Sequence, residues 1–216
     1  MYVPKFHEES DPAVLQALIR AYPLGTWVSH SDDGLLANHV PFLLDAGRGE
    51  HGTLLCHVAR ANPVWRSCAA GGDALVVFHG PDRYISPSWY PGKAEHGKAV
   101  PTWNYAVVHV HGRPRVVEDR EWLLRHLARL TDEHEAGREL PWTLADAPAD
   151  FTERLLAAIV GIEIPITRMM GKWKVSQNRT EADKRGVVAG LAAQGDSVSL
   201  DMAALVGRHL DGTPAA

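Results

Sequence analysis

The stretch GTWVSHSDDGLLANHVPFLLDAGRGEHGTLLCHV, Gly25 to Val58, decides the fold. Three apolar runs are separated by two short segments rich in glycine and charge. GTWVSH reads as a strand, SDDG turns the chain, and LLANHVPFLLD reads as a second strand. AGRGEHG turns it again into TLLCHV. Strands joined by tight turns pair antiparallel, because a parallel pair needs a crossover of a dozen or more residues. Pro41 lacks a ladder N–H, so its strand should lie at an edge or carry a bulge.

Outward from this stretch the pattern continues. Upstream, SDPAVLQALIRAY opens a helix: Asp11 caps it, Pro12 suits its first turn, and Val14, Leu15, Leu18, Ile19 and Tyr22 form one apolar stripe. Downstream, RANPVWRSCAAGG predicts a short helix with Asn62 as cap and Pro63 at its first position. ALVVFHG and RYISPSW predict two strands joined at Gly80, Pro81 and Asp82. TWNYAVVHVHGRPRVVE is a long strand or a pair bent near Gly112. DREWLLRHLARLTDEHE is a helix capped by Asp119, with Trp122, Leu123, His126, Leu127 and Leu130 on one face. PADFTERLLAAI is another helix, VGIEIPITRMMGKWKVSQ a strand, and two helices follow near 180–194 and 199–210. Six or seven strands joined by tight turns predict an antiparallel α+β barrel rather than alternating βαβ units. No linker divides the chain, so residues 1–216 are expected to form one domain, with the helices from about 180 packed on the barrel or on a second subunit.

Composition narrows the class. The 216 residues are 45% apolar, enough for a core, and the net charge is −4. No run of about 18 apolar residues exists to span a membrane. Two cysteines, Cys56 and Cys68, do not make a disulfide framework, which fits a reducing, cytoplasmic setting. The acidic balance does not support DNA as main partner, because backbone phosphate binding relies on clustered cations. The last two helices have a helix-turn-helix outline, yet positions 180–216 hold three Lys or Arg against five Asp or Glu.

Several segments carry candidate chemistry. YISPSWYPGKAEHGKAVPTWNY, Tyr84 to Tyr105, holds five of the twelve Trp and Tyr residues around a loop with Lys93, His96 and Lys98. Rings around such a loop suggest a pocket mouth, with the loop's cations facing an anionic ligand. In LLCHVARANPVW, Arg60 precedes a helix start, a pairing that suits a phosphate; an ordinary capped helix is the plainer alternative. Asn38 and His39 interrupt an apolar strand, and alternation puts Asn38 with Val40 on one face and His39 with Pro41 on the other. His109 and His111 share a strand face, but no further ligand motif accompanies them, so no metal is assigned. GKWKVSQNRTEADKRG is dense in donors and suits either a solvated strand end or a polar clamp on an anionic or heteroaromatic ligand.

Five motifs stand in order: NHVPF, HVARANPVW, YISPSWY, VPTWNY and KVSQNR. With the opening MYVPKFHE they closely resemble the PaiB family of FMN-binding negative transcriptional regulators, from Met1 to about Leu210. The resemblance implies an FMN-binding split barrel, a homodimeric Greek-key fold with flanking helices and a C-terminal helical pair, with FMN at the subunit interface. It implies Asn38, His39 and Val40 beside the flavin ring, and His57, Arg60 and Asn62 at its phosphate. Ser86, Trp89, Trp103 and Tyr105 are implied near the ring across the dimer, with Lys174, Ser176 and Gln177 closing the site. Val175 stands where the family is expected to have Leu. The alternatives to a regulator are an FMN-dependent oxidoreductase or flavin reductase acting on a small substrate, and a haem-binding split barrel. No catalytic acid or base is nominated; His39, His57 and His96 are within reach.

Overall fold

The structure is a computed structural model that describes residues 1–31, 34–69, 72–93 and 97–210. Its strands are β1 (Glu8–Glu9), β2 (Leu24–Ser31), β3 (Gly34–Pro41), β4 (Leu43–Asp45), β5 (Thr53–Ala59), β6 (Ala74–Ile85), β7 (Thr102–Gly112), β8 (Arg115–Val117) and β9 (Ile159–Lys174). Its helices include α1 (Pro12–Ala21), α2 (Val64–Ala69), α3 (Arg120–Glu135), α4 (Ala149–Ala157), α5 (Glu181–Ala192) and α6 (Ser197–Gly207). The strands follow the order β3-β2-β6-β7-β9-β5-β4, with β1 and β8 pairing β9 off this path. The pairs β1–β9, β2–β3, β2–β6, β4–β5, β5–β9 and β8–β9 are all antiparallel.

Two details differ from the sequence reading. The strand count is nine among the described residues, because the run through Pro41 breaks at Phe42 into β3 and β4 and β1 is a short addition, while the stretch bent near Gly112 forms the expected pair, β7 and β8. The two strands expected around Gly80 are one continuous β6. Gly80 is there for close approach and not for a turn: a Cβ would stand 2.9 Å from Leu18 Cδ1 and 3.3 Å from the Ala106 carbonyl oxygen. Pro81 lies beyond Leu75–Val77, the part of β6 that pairs β2, so its missing N–H removes no bond of that ladder. Pro41, as expected, sits in the edge strand β3.

The chain divides into two compact units, and β6, β7 and β9 each run through both. Unit 2 comprises Pro23–Val77 and Val110–Arg168. Its β2 and β3 register Trp27 against Asn38 and Thr26 against His39. Trp27, Phe42, Leu54, Ile162 and Ile164 are fully buried in this unit, as is Cys56, and Cys68, the other free cysteine, is buried. Helix α3 begins where the Asp119 carboxylate accepts from Trp122 N at 2.6 Å. Its Trp122 ring closes onto β9 at Gly161, where a Cβ would meet the ring at 2.3 Å.

Unit 1 takes Met1–Tyr22, Phe78–His109 and the chain from Met169 onward. Asp11 caps α1 by accepting from Ala13 N at 2.8 Å, and Leu15, Leu18 and Ile19 are buried. Leu15 reaches β9 at Gly171, where a Cβ would stand 2.3 Å from its Cδ2. The helix pair α5–α6 buries Val187, Leu191, Met202 and Val206 completely. It is pinned at α6 by Arg83, which donates to Ser199 Oγ at 2.8 Å and pairs with Asp196. Tyr22 donates to Asp201 at 3.4 Å. Helix α5 lies on Trp89: a Cβ at Gly186 would fall 1.9 Å from the Trp89 carbonyl oxygen, and one at Gly190 2.3 Å from its ring. Among the described residues, no helix is long and apolar enough to cross a membrane.

Gly186→Ala sets helix propensity against this contact. In a free helix the change stabilises by about 1 kcal/mol. Here the methyl meets backbone, and overpacking costs about 1–3 kcal/mol. Urea unfolding should therefore show a lower midpoint for the variant; a raised midpoint would mean that α5 does not press on Trp89.

Candidate functional site

In unit 2 the alternation of β3 is realised: Val40 is buried, Asn38 half-buried and His39 exposed. Asn62 donates through Nδ2 to Asn38 Oδ1 at 2.8 Å, while its own Oδ1 accepts from Val64 N at 3.0 Å and caps α2. Two amides 24 residues apart thus form one chain of hydrogen bonds. The Asn38 Nδ2 at its end is buried and has no partner among the described residues. An orphaned buried donor costs about 1–3 kcal/mol, which a ligand acceptor would offset. On the other face, His39 Nδ1 lies 3.1 Å from Thr26 Oγ1.

Arg60 leaves β5 beside this pair. Its guanidinium donates to the Ala157 and Ile159 carbonyls at 3.2 and 3.3 Å and to Glu118 at 2.6 Å. Three of its five N–H donors are thereby engaged, and the side chain stays 42% exposed. The arginine read as a phosphate donor from sequence therefore also holds β5 to the start of β9.

His57, expected at the phosphate, turns to α3. Its Nδ1 is 3.1 Å from His126 Nε2, and His126 stacks on Trp122 with ring centroids 5.0 Å apart. Trp122 Nε1 donates to Glu163 at 2.7 Å, and Arg48 grips the same carboxylate with two bonds of 2.8 and 2.7 Å. The Arg48 fork holds the Glu163 carboxyl below its ordinary range. Burial pushes His126 down to about 4, with His57 and Arg129 adding to the shift, and burial also lowers His57. Both rings are neutral at pH 7, and among the described residues His126 Nδ1 has no partner.

The remaining candidates lie in unit 1. Ser86 caps the turn Pro87–Trp89, accepting from Ser88 N at 3.2 Å. Trp89 is the seat of α5, as described. Trp103 is 54% exposed and packs edge-on against Tyr84, with centroids 6.2 Å apart. Lys172 and Lys174 stand over the Tyr105 ring at 5.3 and 6.0 Å. Lys174 donates to Thr102 Oγ1 and, at 2.8 Å, to the Trp103 carbonyl. Gln177 faces inward: its Oε1 accepts from Val175 N at 2.8 Å and lies 3.0 Å from His7 Nδ1, and its Nε2 donates to the Trp173 carbonyl. Ser176 is buried in a left-handed conformation, φ 65°, and is held by Asn104 Nδ2 at 3.0 Å.

The loop cations and the KVSQNR segment come together. Lys93 and Lys98 line one cavity with Tyr90, Asn178 and Arg179. Lys174 and Ser176 line another with His7, Asn104, Asn178 and Arg179. His96 lies outside the described residues. Among the described residues, no three His, Cys, Asp or Glu side chains gather as a metal set; His111 faces Arg168 at 3.1 Å.

Sequence reasoning missed Asn104, Glu163 and the role of His126. A strand-interior polar residue on the inward face was the available signal for the first two, the same signal that found Asn38. His126 was visible only as part of an apolar helix face.

Comparison with known proteins follows this geometry. A family model described as "Putative FMN-binding domain" matches residues 1–168. The protease synthase and sporulation protein PAI 2 of Bacillus subtilis is 31% identical over 206 residues, 95% of this chain and 96% of that one. Among solved structures, the FAD and haem binding protein of Mycobacterium smegmatis superposes with TM-score 0.59 at 20% identity, covering 78% of this chain and 73% of that one. The flavocytochrome Anf3 of Azotobacter vinelandii gives 0.56 at 15%, covering 80% and 72%. The fold is thus the antiparallel FMN-binding split barrel with flanking helices and a C-terminal helix pair. The residues of unit 2 fit such a group, with an unpaired buried amide on Asn38 and spare donors on Arg60.

The buried imidazoles make stability depend on pH. The unfolded chain binds a proton at each histidine near 6.5, while folded His126 binds one only near 4. Between these values the unfolded state holds more protons, so stability is lost as pH falls through the window. The loss at His126 should reach about 2–3 kcal/mol at the acid end, at about 1.4 kcal/mol per unit. Urea midpoints measured at intervals from pH 7 to 4.5 should fall in the wild type and fall less in His126→Phe. Equal slopes would remove the imidazole as the cause.

Proposed function

We infer the function from the premise that the chain belongs to the FMN-binding family whose model it matches, the PaiB type of split barrel. It binds FMN, and its flavin occupancy or redox state alters a contact with another macromolecule, giving a negative regulatory output. Asn38, His39 and Val40 lie beside the flavin, with Arg60 and Asn62 toward its phosphate. The protein works as a homodimer, a second copy bringing Trp103 and Tyr105 toward the ring. The observation that carries this reading is the Asn38–Asn62 amide chain, which ends in an unpaired buried donor.

The regulatory contact is not a DNA-reading helix. Helix α6 has the position of a recognition helix, but Arg83 and Tyr22 bind its Asp196, Ser199 and Asp201 within unit 1. Acidic residues bound in this way supply no cationic surface for a groove. A protein partner fits better.

The second reading is an FMN-dependent oxidoreductase acting on a small anionic substrate. It is favoured by the cations Lys93, Lys98, Lys174 and Arg179 around the two cavities of unit 1. The flavin would supply the hydride chemistry, and these residues would orient the substrate.

Titration of the protein with FMN, followed by quenching of flavin fluorescence, should show a stable complex. Arg60→Ala should weaken it by about 1–3 kcal/mol, and an unchanged dissociation constant would take Arg60 out of the site. An intense haem band after adding haemin, with no flavin bound, would replace FMN by haem. Anaerobic mixing of the FMN-loaded protein with NADH or NADPH separates the two readings. The regulator predicts flavin bleaching no faster than that of free FMN, and bleaching well above that rate would favour the enzyme.

A further inference from the structure

The cavity of about 180 Å³ in unit 1 has Tyr90, Lys93, Lys98 and Ala99 on one side and Asn178, Arg179, Thr180 and Asp183 on the other. The neighbouring cavity of about 210 Å³ shares Asn178 and Arg179 with it, and adds Lys174 and His7. That shared pair lines both.

Three properties mark this cleft as built. Among the described residues its cations outnumber its carboxylates, and Asp183, buried, accepts from Gly92 N at 3.1 Å and so ties the Tyr90–Lys93 turn to the first turn of α5. Arg179 lies with its guanidinium carbon 4.7 Å over the Tyr90 ring, a stacking that fixes the fork's plane. Tyr90 itself is only 3% exposed; the Arg179 guanidinium stands at its hydroxyl, and among the described residues the hydroxyl proton has no acceptor. Burial raises the phenol's pKa, against a smaller opposing effect of Arg179, so its proton stays in place and is available to an acceptor. Buried hydroxyls in folded proteins are nearly always satisfied, and an orphan points to a missing acceptor.

We propose that this cleft is a binding site for the phosphate group of a small molecule, distinct from the flavin, with Tyr90 Oη and the Arg179 fork as its donors and Lys93 and Lys98 as its counter-charges. Phosphate suits it better than a carboxylate because it offers three terminal oxygens to donors that approach from several directions. The site does not depend on whether the protein is a regulator or an enzyme: in one case the molecule is an effector, in the other a substrate.

The test is calorimetric titration of inorganic phosphate, and of phenyl phosphate in parallel, into the FMN-loaded protein at low ionic strength. One site per chain is expected. Arg179→Gln should weaken binding at least tenfold. Tyr90→Phe should weaken it several-fold while raising the melting temperature of the phosphate-free protein, because it deletes an unsatisfied buried hydroxyl and keeps the ring. A purely structural Tyr90 would change the melting temperature alone. Should Arg179→Gln fail to fold, Lys98→Gln replaces it, with a several-fold loss expected. Tighter binding of phenyl phosphate than of inorganic phosphate supports an ester as the ligand, and the reverse order supports free phosphate in the same site. The proposal is overturned if wild type binds neither, if the variants bind as wild type does, or if phosphate binds only the FMN-free protein and competes with FMN. That last result would assign the cleft to the flavin's own phosphate.

Discussion

Bare backbone on one strand is the constraint on which both units rest. β9 carries a glycine where each unit closes upon it. In unit 2 the Trp122 ring occupies the space a Cβ at position 161 would need, and in unit 1 Leu15 does so at position 171. Sheet geometry leaves no slack for such contacts, since side chains stand almost perpendicular to the strand. The helices can reach the sheet only where it lacks a side chain. From the Trp122 contact follow the stacking of His126 and the grip on Glu163. From the Leu15 contact follows the placement of α1, whose Tyr22 meets α6.

The sequence was most legible where one physical rule acted alone. The strands β2, β3 and β5 stand between turn-rich segments, and Pro41 announced an edge. Asp11, Asn62 and Asp119 declared three helix starts, and all three side chains accept the expected N–H. Gly80–Pro81–Asp82 misled because two explanations of a glycine compete. A turn and a close approach leave the same residue in the sequence, and only the facing Leu18 and Ala106 tell which is meant.

The candidate site was legible as a set of residues but not as contacts. Asn38 and Asn62 each stood out as polar where the pattern was apolar or capped; that they bond to each other is a fact of tertiary packing, which brings the start of α2 to β3. Gln177 was read toward a ligand because the donors around it are dense. Its amide is instead consumed by the turn it belongs to, where Ser176 takes a left-handed conformation that costs a non-glycine residue about 1 kcal/mol or more. His57 was placed at a phosphate, and its partner proved to be another imidazole.

The pairing of β1 with β9 joins Glu8 to Lys172 and Glu9 to Gly171. The strand β1 therefore has no partner until β9 exists, and unit 1 is assembled from three separate segments. Contacts of such sequence separation carry a high loop-closure entropy and form slowly. Unit 2, whose first hairpin closes over a few residues, can begin folding during synthesis. The order of assembly is thus written into the topology, with unit 1, which holds the cationic cleft, completed after unit 2.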